Sequence, residues 1–294
     1  MDAMQRPGFQ SRKRAAVSSR TLSELPTNSS EEILHKVRQA RNVIHDEMNN
    51  RFCQLFMLIN CICAVGHSLD AQTPEPGKQT PDLGKPKEFI YVQKLVPRLY
   101  DGEKWTKEDK AASDQHFIRF QEATKSGQLI LAGRTKEPGD KTFGIAIFRA
   151  SDEAAARAFM KADPIVSAGL MTAELHPFAV ALENANPEPG ISNEFIYVLR
   201  LVSRLYDGEK WTKEDNAALD RHFIRFQEAA KSGQLILAGR TTEPGDKTFG
   251  VAIFRASDEA AARKFMESDP AVVAKLMTAE LHPFSVHVQR KKAP

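Results

Sequence analysis

Between residues 88 and 182 the apolar and polar positions follow two rhythms. Glu88 to Val96 is rich in β-branched and aromatic side chains and predicts a strand. Past Thr106 the apolar positions take helical spacing, so that Ala112, His116, Phe120 and Ala123 share one face. Thr106 with Asp109 is a near capping box that opens this helix, and Gly127, after Ser126, ends it. Gln128 to Arg134 predicts a second strand. Lys141 to Ala150 predicts a third, joined through the turn Glu137-Pro-Gly-Asp140. Ser151 is expected to cap a helix from Asp152 to about Lys161. Asp163-Pro164 starts another short helical turn, and Thr172 to Leu182 is the last strand. The order β-α-β-β-α-β is that of a ferredoxin-like split βαβ unit.

The same pattern returns. Residues 194–288 repeat 88–182 without a gap, with 18 differences in 95 positions. The connector, 183–193, is short and broken by Pro and Gly. The fold class is therefore α+β, two tandem ferredoxin-like units. Each sheet has helices on one face only, so its other apolar face needs a partner. The second unit supplies one, which predicts an intramolecular pseudo-dimer with the sheets face to face or curled into a barrel. The differences Gly169/Lys275, Ala158/Lys264 and Ala181/His287 read as surface drift, with neither copy emptied of its site.

The front of the chain follows neither rhythm. Phe52 to Val65 is the most apolar run and holds all three cysteines, Cys53, Cys61 and Cys63. With Arg51 before it and Leu69-Asp70-Ala71 after it, the segment 48–71 reads as a signal peptide, the mature chain starting at Gln72. Residues 1–47 are then a disordered leader or a misplaced start. A buried or interfacial helix is the other reading of a run this short. Residues 72–87 read as a linker and 289–294 as a tail. Export to the periplasm or exterior follows if the signal operates, and a cytoplasmic location otherwise.

Composition narrows the classes. The 294 residues suggest about two domains, and 41% hydrophobic with 27% charged residues is a globular balance. A net charge of +3 gives no argument for a nucleic-acid partner. Three cysteines exclude a disulfide scaffold. No apolar run reaches the roughly 18 residues of a stable membrane span. No cofactor fingerprint, Walker loop, nucleophile elbow or zinc spacing occurs, so neither cofactor nor metal is expected.

Four features recur in both copies. They are His116 and His222 in the first helix, and Gly127 to Arg134 and Gly233 to Arg240 as G-x-L-x-x-A-G-R. Asp163-Pro164 and Asp269-Pro270 follow the second helix, and Pro177-Phe178 and Pro283-Phe284 lie in the last strand. In this order they resemble the YciI-like (YCII-related domain) family of the dimeric α+β barrel superfamily. The resemblance implies a small pocket where His and Asp meet. A relative acts as a dehydrochlorinase on a chlorinated, hydroxylated aromatic, and other barrels of the superfamily isomerise lactones.

The residues themselves leave two readings. His116 on an apolar face is either a hydrogen-bonded core residue or a general acid/base, since an imidazole titrates near neutrality. Asp163 is either an N-cap alone or also the group that orients His116. His222 and Asp269 repeat the pair. Arg134 and Arg240 are candidate anion-binding residues or solvated strand ends. Tyr91 and Tyr197 could line a pocket or pack in the core. Trp105 and Trp211 suit hydrophobic staples, and His176 and His282 read as strand residues at a rim. The function expected is an exported small-molecule enzyme of lyase, isomerase or hydrolase type. The alternative is a non-catalytic binding or scaffold barrel. The ligand is a small molecule, the repeats pair with each other, and further oligomerisation is open.

Overall fold

The first repeat opens with β1 (Lys87–Leu95), followed by two short 3-10 turns, Pro97–Tyr100 and Gly102–Lys104. Helix α1 (Lys107–Lys125) begins with a complete capping box: Thr106 Oγ1 accepts from the Asp109 amide, and Asp109 Oδ2 accepts from the Thr106 amide. Gly127, with φ of 75°, ends it. Then come β2 (Leu129–Thr135), β3 (Phe143–Ala150), α2 (Glu153–Lys161), α3 (Pro164–Ser167) and β4 (Met171–Glu183). The second repeat gives β5 (Asn193–Leu201), α4 (Lys213–Lys231), β6 (Leu235–Thr241), β7 (Phe249–Ala256), α5 (Glu259–Glu267), α6 (Pro270–Val273) and β8 (Met277–Gln289). These come from a computed structural model that describes residues 86–184 and 193–291. The leader, the signal-like segment 48–71 and most of both linkers lie outside the described residues.

Asp152, not Ser151, caps α2. The Asp152 carboxylate accepts from the Ala155 amide, and the Ser151 hydroxyl donates to that carboxylate. A charged acceptor at the helix start is the stronger cap. Trp105 does more than staple. Its indole donates to the Leu99 carbonyl and packs with Leu99, Ala112 and Leu170, tying the 3-10 turns to α1.

The strands close into one eight-stranded barrel in the order β1-β3-β2-β8-β5-β7-β6-β4. Of the two arrangements left open by the sequence, the closed barrel is the one adopted. Each four-stranded sheet ends on β2 and β4, or β6 and β8, and edges with unpaired backbone groups gain by pairing. β2 runs antiparallel to β8, with Thr135 opposite Phe284 and Arg134 opposite Ser285. β4 runs antiparallel to β6, with Phe178 opposite Thr241 and Ala179 opposite Arg240. The uncovered faces thus become the barrel interior, filled by Ile90, Ile147, Phe178, Ile196, Ile253 and Phe284 among others. Separate apolar layers lie between each sheet and its own helices.

The seams explain the glycine of the repeated A-G-R. A Cβ on Gly133 would overlap the Phe284 ring and the Ser285 carbonyl oxygen. One on Gly239 would overlap the Phe178 ring and the Ala179 carbonyl oxygen. Each ring of one repeat therefore sits on a glycine of the other. His176 and His282 join the same seams. Both are buried, not at a rim. His176 Nδ1 lies 2.5 Å from Glu243, and His282 Nδ1 lies 2.6 Å from Glu137, each across the repeats. Period-two reading places these imidazoles on a face but cannot show that the other repeat brings an acid to it.

Candidate functional site: two buried histidine–aspartate pairs

His116 stands mid-way along α1 on the side turned to the sheet. The short helix α3 must start where the chain leaves α2, and Pro164 at its first position pre-sets the backbone. That fixes Asp163 as the cap, fully buried, with Oδ1 accepting from the Ile165 amide at 3.3 Å. The same Oδ1 lies 2.7 Å from His116 Nδ1. Oδ2 accepts from the Tyr91 hydroxyl at 2.8 Å and from Gln93 Nε2 at 3.2 Å. Capping and imidazole orientation thus coexist in one carboxylate.

The second repeat builds the same unit. His222 Nδ1 lies 2.6 Å from Asp269 Oδ1, the Tyr197 hydroxyl donates to Oδ2 at 2.8 Å, and the Ala271 amide donates to Oδ1 at 2.9 Å. Tyr91 and Tyr197 are therefore core residues whose polar tips belong to the site. Both are wholly buried.

The electrostatics follow from these bonds. Burial alone would raise the Asp163 carboxyl. The hydrogen bond and charge of His116, with the Tyr91 and Ile165 donors, outweigh it and hold the group below the usual carboxylate range. Asp269 is lowered in the same way by His222, Tyr197 and Ala271, against its burial. Burial, and then the adjacent carboxylate, push the phenols of Tyr91 and Tyr197 well above their ordinary value, so both stay protonated.

Several participants were not among the sequence candidates. The Arg119 guanidinium lies 4.0 Å from Asp163 Oδ2, rests over the Phe159 ring and donates to the Phe159 carbonyl. Arg225 sits 3.8 Å from Asp269 Oδ2. Each falls three residues after its histidine, the spacing that puts two side chains on neighbouring parts of one helix face. Gln93 joins the first site only, because its counterpart is Leu199. The candidate Arg134 is exposed on β2, opposite Ser285 of the other repeat, and Arg240 stands opposite Ala179, where burial lowers its pKa. A cavity of about 460 Å³, lined by Lys87, Phe89, Pro177 and Phe178 among others, includes no residue of either pair. The candidate site is the set of bonded side chains. Among the described residues no cluster of three or more His, Cys, Asp or Glu could hold a metal ion, and no helix is long and apolar enough to cross a membrane.

A closed barrel of two ferredoxin-like halves, each with a histidine hydrogen-bonded to a buried capping aspartate, defines the class: a dimeric α+β barrel fused into one chain. The chain belongs to the YCII-related domain family, whose profile matches residues 95–178 and again 200–284. No curated protein matches it. Among solved structures it is similar to a heme-binding protein from Thermus thermophilus, at 12% identity and a TM-score of 0.43, covering 69% of this chain and 90% of that one. It is also similar to a mutant chlorite dismutase from Candidatus Nitrospira defluvii, at 11% identity and a TM-score of 0.46, covering 69% and 93%.

Proposed function

We propose that the chain is a small-molecule enzyme of lyase, isomerase or hydrolase type in which the histidine–aspartate pairs carry general acid/base chemistry. One observation carries this reading: His116 Nδ1 is bound to a buried carboxylate held below its usual pKa. An ionised carboxylate only accepts hydrogen bonds. Nδ1 therefore carries a hydrogen, and in the neutral imidazole Nε2 is the nitrogen with the lone pair. That nitrogen can take a proton from a bound substrate, and the imidazolium formed is stabilised by Asp163. Tyr91 donates to the other carboxylate oxygen, which keeps Asp163 from rotating out of line. Asp163 is a positioning residue, and His116 is the residue that moves the proton.

The test needs no prior substrate. A panel of small ketones, lactones and hydroxylated aromatics is incubated with the full chain in D₂O, and loss of C–H signal is followed by NMR. Exchange of at least one compound is expected, falling about 10²–10⁴-fold in the His116→Ala/His222→Ala chain. Exchange unchanged by that double substitution, or none across the panel, would leave a binding barrel instead.

Export belongs to the same proposal. It is supported by the run Phe52 to Val65, the small-residue site near Ala71 and the cysteine-free remainder. The N-terminus of the chain isolated from its own cells is expected at Gln72. A chain beginning at Met1 contradicts it.

A further inference from the structure

Several of the 18 positions at which the repeats differ fall near the histidine–aspartate pairs: Ile165/Ala271 is apolar in both, Ala162/Ser268 puts a hydroxyl on Arg225 of the second, and three others are polar on the side of the first centre and apolar on that of the second. Gln93, which donates to Asp163, is matched by Leu199. Ser113, one helical turn before His116, is matched by Leu219. The third position comes from the opposite repeat. The register of β8 against β2 slips between Val286, opposite Gly133, and Val288, opposite Ala132, so His287 is the residue bulged out. Val288 packs into the layer beneath α1, and α1 itself touches β8. The bulge therefore opens on the side of the barrel where His116 sits. At the equivalent bulge in β4, beside the second centre, the residue is Ala181.

His287 thus lies within reach of the charges of Arg134 and His116 in the other repeat. Aligning the copies shows a substitution but not which centre receives it, because β8 carries its end into the other repeat.

We propose that the two centres are not equivalent: the first, completed by Arg134 of its own repeat and by His287 from across the seam, binds a small monoanionic carboxylate, and the second does not. The proposal rests on reading the first centre as a ligand site. Arg134 is exposed on β2 next to the bulge and offers a planar fork of donors that matches a carboxylate. His287 is also solvent-accessible. Partial desolvation, and then the positive charges of Arg134 and His116, lower its pKa below the ordinary imidazole value. At neutral pH it therefore offers a hydrogen-bond donor without adding charge. Asp163 already offsets Arg119, 4.0 Å away. The exposed cation at the bulge is Arg134, whose single planar guanidinium suits a monoanionic carboxylate better than a doubly charged phosphate. His116 Nε2 then faces a ligand held by its carboxylate.

The test uses the full chain with ¹⁵N-labelled histidine and benzoate as the probe, with inorganic phosphate for comparison. Benzoate is expected to shift the ring signals of His116 and His287 with one common midpoint and to leave His222 in place. Phosphate is expected to bind at least tenfold more weakly. His287→Ala and Arg134→Ala are each expected to weaken benzoate at least tenfold. His287→Ala should fold normally, since alanine already occupies the equivalent bulge at position 181. Equal shifts of His116 and His222, tighter binding of phosphate, or no saturation by tens of millimolar benzoate would overturn the proposal. Hydrogen–deuterium exchange separates the two ideas. Exchange without carboxylate binding leaves the acid/base reading standing and removes this one. Carboxylate binding at the first centre without exchange does the reverse.

Discussion

A chain carrying Phe178→Ala and Phe284→Ala is expected to be unfolded in buffer at room temperature. Phe284 is wholly buried, Phe178 is 4% exposed, and both fill the barrel interior. Each ring lies against a glycine of the opposite repeat, where backbone and side chain approach too closely for any Cβ. Truncating a buried phenylalanine removes its transfer free energy and leaves a cavity, at about 3–5 kcal/mol each. Two such losses total about 6–10 kcal/mol, against a typical domain stability of about 5–15 kcal/mol. The rings share one cluster, so their effects need not add, but either alone should lower the urea midpoint clearly. Phe117→Ala is the control. That side chain is 43% exposed, and its loss should change stability by no more than about 0.5 kcal/mol. Losses under about 1 kcal/mol at Phe178 and Phe284 would mean that the repeats are not locked by these seams.

The second large effect is on chemistry. Asp163→Asn with Asp269→Asn should leave the barrel folded while lowering proton exchange about 10²–10⁴-fold. The amide is nearly isosteric with the carboxylate, but it brings two N–H donors in place of an acceptor. Facing His116 Nδ1 with a donor favours the tautomer with hydrogen on Nε2, which removes the base. The same substitution flattens the acid limb of stability. A carboxyl whose folded pKa is depressed stabilises the fold above its unfolded value of about 3.9, and that contribution is lost as pH falls through the folded value. Asp163 and Asp269 are both depressed, so the native chain should lose stability as pH drops below about 4. The double asparagine chain should lose it less steeply, keeping the share carried by Asp109 and Asp215, each bound to an arginine. Equal slopes would show that neither carboxylate is ionised in the fold.

Much of this architecture was legible in the residues. The strand and helix order, the capping box at Thr106 and the stop at Gly127 all follow from local chemistry, which two nearly identical copies state twice. The pairing of His116 with Asp163 was legible only through the family resemblance, because 47 residues separate them and each has an ordinary local explanation. The seams were not legible. Nothing in one repeat says that its β2 edge meets the other's β4-type strand, so the acids beside His176 and His282 stayed hidden. Arg119 was missed because a helical arginine is normally solvated, and here a phenylalanine ring and a carbonyl hold it. The setting of His287 was hidden for the reason the seams were: Arg134 and His116, whose charges act on it, belong to the other repeat.

The most direct test of the acid/base account is the tautomer of His116 in the resting protein at neutral pH. Ring ¹⁵N NMR of the full chain, with His116 assigned by substitution, reads it. The expected result is a protonated Nδ1 bonded to Asp163 and an Nε2 with the shift of a free lone pair. The hydrogen on Nε2, with Nδ1 accepting from a protonated Asp163, would contradict the account, because the nitrogen left to meet a substrate would then have no basic lone pair.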